Sequence, residues 1–128
     1  MKGALVTAVL LAGALAACSE TEPGTVVAQG TSFAPNEITV QSGETVTWEI
    51  AGDDVHTVTA FEESIPDGAP YFASGGAAGE DDARKDLAAG LLREGESFEV
   101  TFEEPGTYEY FCIPHEASGM TGTVVVEE

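Results

Sequence analysis

The stretch that decides the fold is Ser97–Val126, SFEVTFEEPGTYEYFCIPHEASGMTGTVVV. Its first six residues alternate, with Phe98, Val100 and Phe102 on one face and Ser97, Glu99 and Thr101 on the other. Glu104-Pro105-Gly106 turns the chain into a second extended run, Thr107–Cys112, and a third, Gly122–Val126, closes the domain. Working outward, TVVAQ (Thr25–Gln29) is a first strand, and EITVQ (Glu37–Gln41) points Ile38 and Val40 inward. Ser42-Gly43-Glu44 makes a turn. TVTWEI (Thr45–Ile50) places Val46, Trp48 and Ile50 on one face, and VHTVTAF (Val55–Phe61) is a further strand candidate. Period-two alternation with Gly or Pro turns at short spacing predicts an all-β sandwich or barrel.

The rhythm breaks between Glu62 and Glu96, a stretch rich in Gly, Ala, Asp and Ser. Within it, Glu80–Leu92 (EDDARKDLAAGLL) begins with acids and then mixes in bases and Leu. That order suits a short helix with an acidic N-terminus, although Gly90 weakens it. The segment reads as a long connection between sheets holding a helical turn or two, with a solvated surface loop as the plainer alternative.

The N-terminus belongs to export rather than to the fold. After Lys2, an apolar run from Ala4 to Ala17 is too short to span a bilayer comfortably and reads as a secretion signal over residues 1–17. Leu15-Ala16-Ala17-Cys18 resembles a lipobox, which implies a lipid on Cys18 and a tether over 18–24. An ordinary signal peptide would leave Cys18 free. No twin-arginine pair is present, so the general secretion route is expected. What remains, 25–128, is one domain's worth of chain. Its placement is expected at the extracytoplasmic face of the membrane, as a lipid-anchored monomer.

The chain carries 23 Asp plus Glu against 4 Lys plus Arg, a formal net charge of −19. Such a surface repels phosphates, which excludes nucleic acid as a natural partner. It also argues against adhesion to an anionic membrane surface. It fits either steering of a basic partner or a surface adapted to concentrated salt. The acids run along the whole domain, which favours the second reading. At about 1 M salt the Debye length is only about 3 Å, so self-repulsion is screened. In dilute buffer the same charges should loosen the fold.

With two Cys in the chain, a lipid on Cys18 leaves Cys112 without a disulfide partner, and a lone thiol in an exported protein needs an explanation. A Cys18–Cys112 disulfide would need a tether residue at one end. Cys112, His115 and Met120 fall together in one turn-rich segment at C-x2-H-x4-M spacing, with a strand on each side. Two imidazoles, a thiolate and a weak axial Met make a blue-copper electron-transfer site. The second imidazole must then be His56, the one other His in the chain, which follows the turn-like Gly52-Asp53-Asp54. Pro114 stiffens the step from Cys112 to His115 and biases Ile113 to an extended conformation. Gly119 allows a sharp turn before Met120. Zinc can use Cys and two His but rarely recruits Met. A binuclear copper site would need a second Cys in the loop. A Cys–His nucleophile pair would leave Met120 unexplained.

These residues resemble the cupredoxins, the small blue copper proteins. The likeness runs through FAPNEITVQSGETVTW (Phe33–Trp48), HTV (His56–Val58) and Gly95–Val126, and the C-x2-H-x4-M loop is that of the plastocyanin-like branch. Within the branch, the acidity, the lipobox and IPDGAPYFASGG (Ile65–Gly76) are most similar to the halocyanins, membrane-anchored blue copper proteins of haloarchaea. The resemblance implies a Greek-key β-sandwich, one copper ion held by His56, Cys112, His115 and Met120, and electron shuttling between membrane redox complexes without enzymatic turnover. By the same analogy the Thr57 amide tunes the Cys112 sulfur. His115 is the electron port, rimmed by Pro114, Ala117 and Pro35. A copper-delivery lipoprotein using the same ligands is the alternative, although such proteins favour several Met or His in open clusters.

Overall fold

A computed structural model describes residues 24–128. The signal over 1–17, Cys18 and the tether up to residue 23 lie outside the described residues. Eight strands follow in chain order: β1 (Thr25–Gln29), β2 (Ser32–Ala34), β3 (Glu37–Gln41), β4 (Glu44–Ile50), β5 (Thr59–Ala60), β6 (Ser97–Phe102), β7 (Gly106–Phe111) and β8 (Thr121–Glu127). They form two four-stranded sheets, β2-β1-β4-β6 and β3-β8-β7-β5. Both sheets are mixed, with β1 parallel to β4 and β3 parallel to β8. From β2 to β7 every step along the chain crosses from one sheet to the other. The result is a cupredoxin-like β-sandwich.

Alternation positions the core as the sequence predicts. Val46, Trp48 and Ile50 of β4 are buried, and Trp48 is fully enclosed. Its indole packs edge-on to Tyr110 of the opposite sheet at 5.2 Å between centroids, and beside Phe98 and Phe72 at 5.9 and 6.0 Å. Aromatic pairs in such offset and edge-on geometries add to the gain from area burial alone. On β7 the inward set is Tyr108, Tyr110 and then Cys112, one step beyond the strand. The same alternation that builds the core therefore delivers the thiol to one end of it. Tyr110 lies opposite Gly122 of β8, where a Cβ would collide with the Tyr110 ring and hydroxyl, so the close approach needs glycine.

Two elements differ from expectation. The strand expected over Val55–Phe61 shrinks to Thr59–Ala60, because Val58 and His56 pair with the long connection instead. Val58 and Ser74 join through the amide of Ser74, and His56 forms an isolated bridge with Leu92. The short strand β2 carries no sequence signal: its three residues between Gly30 and Pro35 show no period, yet Phe33 is buried against Tyr110 at 4.8 Å.

The connection is folded rather than a solvated loop. After a 3₁₀ turn at Glu62–Ser64 come α1 (Glu80–Lys85) and α2 (Leu87–Gly90). The one helix expected from Glu80 breaks at Asp86, whose backbone leaves helical space and whose carboxylate caps α2 by accepting from the Ala89 amide. The outer face of β7 is covered here: Phe111 stacks on Phe61 at 4.3 Å, and the Arg84 guanidinium of α1 lies 4.5 Å from its ring centroid. Buried Ser74 pins the connection to the sheet edge, accepting from the Val58 amide at 3.0 Å and donating to the Gly90 carbonyl at 2.7 Å. Ser74→Ala leaves both buried groups unpaired, at about 1–3 kcal/mol. Thermal unfolding should show a melting temperature lowered by about 4–8 °C per kcal/mol. A shift below about 2 °C would remove Ser74 from this role.

Candidate metal centre

The loop between β7 and β8 is a short 3₁₀ segment, Ile113–Ser118, with Pro114 in its first turn and a kink at His115. Gly119 closes it in the left-handed region at φ 79°, which only glycine adopts without strain. Backbone bonds tie the loop shut. The Cys112 amide donates to the Met120 carbonyl at 3.0 Å, His115 N–H to the Cys112 carbonyl at 3.2 Å, and Met120 N–H to the His115 carbonyl at 3.3 Å. Three of the sequence-predicted ligands are thus fixed by main chain before any side chain is considered. The fourth, His56, is held by reciprocal bonds with Leu92, at 3.0 Å from its amide and 2.7 Å to its carbonyl.

The side chains converge. Cys112 Sγ lies 3.7 Å from His56 Nδ1 and 3.3 Å from His115 Nδ1. The ligand atoms of His56, Cys112 and His115 all fall within 4.8 Å of one another. His56, Cys112 and Met120 are fully buried, while His115 is half-buried. One ion bonded to imidazole nitrogen at about 2.0 Å and to sulfur at about 2.3 Å requires N–S separations of this order.

Burial sets the charge state. The His56 pKa is lowered, first by burial and then by the neighbouring His115, which keeps the imidazole neutral. Neutral imidazole is the form that binds metal. Burial pushes the Cys112 thiol up, against an opposing pull from the Thr57 amide that bonds its sulfur. A cation must therefore displace the thiol proton on entry. His56 Nε2 is buried without a hydrogen-bond partner. Holding such an orphan costs about 1–3 kcal/mol, and the fold holds it with Nδ1 facing the sulfur. This donor set fits one copper ion: two nitrogens, a soft thiolate and a thioether.

Thr57 does two things. Its amide donates to Cys112 Sγ at 3.4 Å, and its hydroxyl oxygen accepts from the Ile113 amide at 2.8 Å. The Thr59 hydroxyl donates to the same oxygen at 3.0 Å. Of the residues expected to rim His115, Pro114 and Ala117 are exposed on its own loop. Pro35 is exposed too, and shares a shallow groove with Gly119. Leu92, Thr59 and the Arg84–Glu116 pair carry no signal in the sequence. The first acts through its backbone, and the last joins residues that only the fold brings together.

A β-sandwich that buries this ligand set at one end of its core defines a type 1 copper protein. The family model for copper binding proteins of the plastocyanin/azurin family matches residues 23–127, and the chain belongs to that family. It is 36% identical over 95 residues to plastocyanin of Scenedesmus fuscus, covering 74% of this chain and 86% of that one. It is 36% identical over 94 residues to a chloroplastic plastocyanin of Oryza sativa subsp. indica, covering 73% of this chain and 54% of that one. The chain thus spans about half the length of that longer relative. Among solved structures, oxidised plastocyanin from Dryopteris crassirhizoma superposes with a TM-score of 0.56 at 30% identity, covering 80% of this chain and 99% of that one.

Proposed function

We propose that the chain is a membrane-tethered one-electron carrier of the halocyanin kind, shuttling electrons between redox complexes at the extracytoplasmic face. The observation that carries this reading is the buried convergence of His56, Cys112 and His115 on a loop already closed by its own backbone. Copper supplies the one-electron chemistry by cycling between Cu+ and Cu2+. The residues supply everything else. His56, Cys112 and Met120 keep water out by their burial, and the closed loop holds the donors in one arrangement. The Thr57 amide points a dipole at the sulfur that carries the anion. Met120 would offer a bound copper its weak thioether sulfur, a donor that would adjust the potential. His115 is the edge nearest solvent and serves as the electron port, with Pro114, Ala117 and Pro35 as a small uncharged rim for brief docking.

A copper-delivery lipoprotein is the second reading. The enclosed site argues against it, since cargo must leave and three of the four donors are fully buried. Reversible voltammetry of the copper-loaded protein, with reduction by a respiratory donor, favours the carrier. Copper transfer to an acceptor protein without redox turnover favours delivery. Mass spectrometry of membrane-extracted protein should find a lipid mass on Cys18, and an unmodified Cys18 would remove the tether. Cys112→Ser should abolish the intense blue absorption, and surviving colour would rule out the thiolate. Met120→Leu should retain copper and raise the midpoint potential, whereas a lowered potential would contradict the axial role.

A further inference from the structure

The chain keeps only three cations in its described domain, Arg84, Lys85 and Arg93, and only Arg84 forms ion pairs among the described residues. Its partner choice is specific. Nη1 and Nη2 donate to the two carboxylate oxygens of Glu116 at 2.7 and 3.0 Å, a two-pronged contact from α1 to the ligand loop. Nε donates to Glu80 at 3.0 Å, one turn back on α1. The guanidinium carbon meanwhile lies over the Phe111 ring, 4.5 Å from its centroid, and Phe111 directly precedes Cys112. One side chain therefore touches the residue before the thiol ligand and the residue after the imidazole ligand His115.

We propose that Arg84 is a positioning residue for the copper ligands, clamping the His115 loop from outside through Glu116 and Phe111. The proposal rests on the copper assignment and adds to it a role for the long connection. That connection then holds both imidazoles: His56 through the backbone of Leu92, and the His115 loop through Arg84. An exposed ion pair is ordinarily worth little. This one differs in geometry. The fork meets both carboxylate oxygens, Glu80 engages the third nitrogen, and the cation lies over an aromatic ring. Lysine would keep the charge but lose the fork and the stacking.

That difference provides the test. Amide hydrogen exchange on the full chain without metal reads the order of the loop directly, at the His115, Gly119 and Met120 amides. Arg84→Lys and Arg84→Met should both speed exchange there about fivefold or more. Lys85→Met, which removes the same charge from the same helix, should stay within about twofold of wild type. Glu116→Gln, which leaves α1 untouched, should reproduce the effect from the loop side. In the copper-loaded protein, Arg84→Lys should release copper to a chelator several-fold faster than wild type. An Arg84→Lys protein with wild-type loop exchange, or a Lys85→Met protein as fast as Arg84→Met, overturns the clamp. Slow loop exchange in a wild type that fails to take up copper when copper is added would instead overturn the copper assignment and leave the clamp standing. Unchanged exchange at β4 and β8 amides in each variant separates loosening of the loop from loss of the fold.

Discussion

Thr57 is the joint on which the site depends. It sits beside one imidazole ligand in sequence and bonds to the thiol ligand and its loop in space, through an amide to Cys112 Sγ and a hydroxyl to Ile113 N–H. Two segments 56 residues apart are thereby set in register at the place where a metal must find both. The first bond is buried and the second partly so, where low dielectric strengthens a satisfied contact and penalises a broken one. The Thr59 hydroxyl completes the chain of donors and fixes which way the Thr57 oxygen faces. With Thr57 in place, the segment that carries His56 is bonded directly to the segment that carries Cys112.

The rest of the molecule serves to hold that joint still. Tyr108, Tyr110 and Cys112 share one inward row of β7, so the thiol is an extension of the aromatic core. Trp48 braces that row from the opposite sheet, and Gly122 lets Tyr110 close against β8. A metal that changes charge by one unit gains from such a frame, because donors that do not move have little to rearrange. Ordering these donors at the moment of binding would cost conformational entropy for every side chain involved. Here most of that cost is met in folding, by the same hydrophobic burial that makes the sandwich.

The legibility of the sequence follows the range of the interactions. The loop from Cys112 to Met120 was readable because its ligands, its Pro and its Gly are neighbours in the chain. His56 was readable by elimination, since the chain holds one other His. The sheets were readable where alternation is long, as in β4 and β6, and failed where pairing is borrowed from afar. Val55–Phe61 looks like a strand by period, yet His56 and Val58 spend their backbone bonds on Leu92 and Ser74. No local pattern records that choice. β2 was missed because three residues carry no period, and the helix break at Asp86 depends on a cap that propensity alone does not place. Between Glu62 and Glu96 composition correctly suggested helical turns but hid their purpose. Arg84 and Glu116 are 32 residues apart, and nothing in either neighbourhood predicts the other.

Charge gives the connection its logic. With 23 acids and 4 bases in the sequence, a cation has many carboxylates to attract it, and loose attraction specifies nothing. Long-range attraction fades in concentrated salt, where the screening length falls to about 3 Å. Contacts at hydrogen-bond distance persist, because no ion fits between the partners. A surface this acidic therefore selects short, shaped pairs over distant ones as salt rises. Arg84 satisfies that selection with two carboxylates and a ring, while Lys85 beside it forms no ion pair among the described residues. The same acidity that makes the fold sensitive to its medium leaves its one shaped cation pair where the ligand loop needs support.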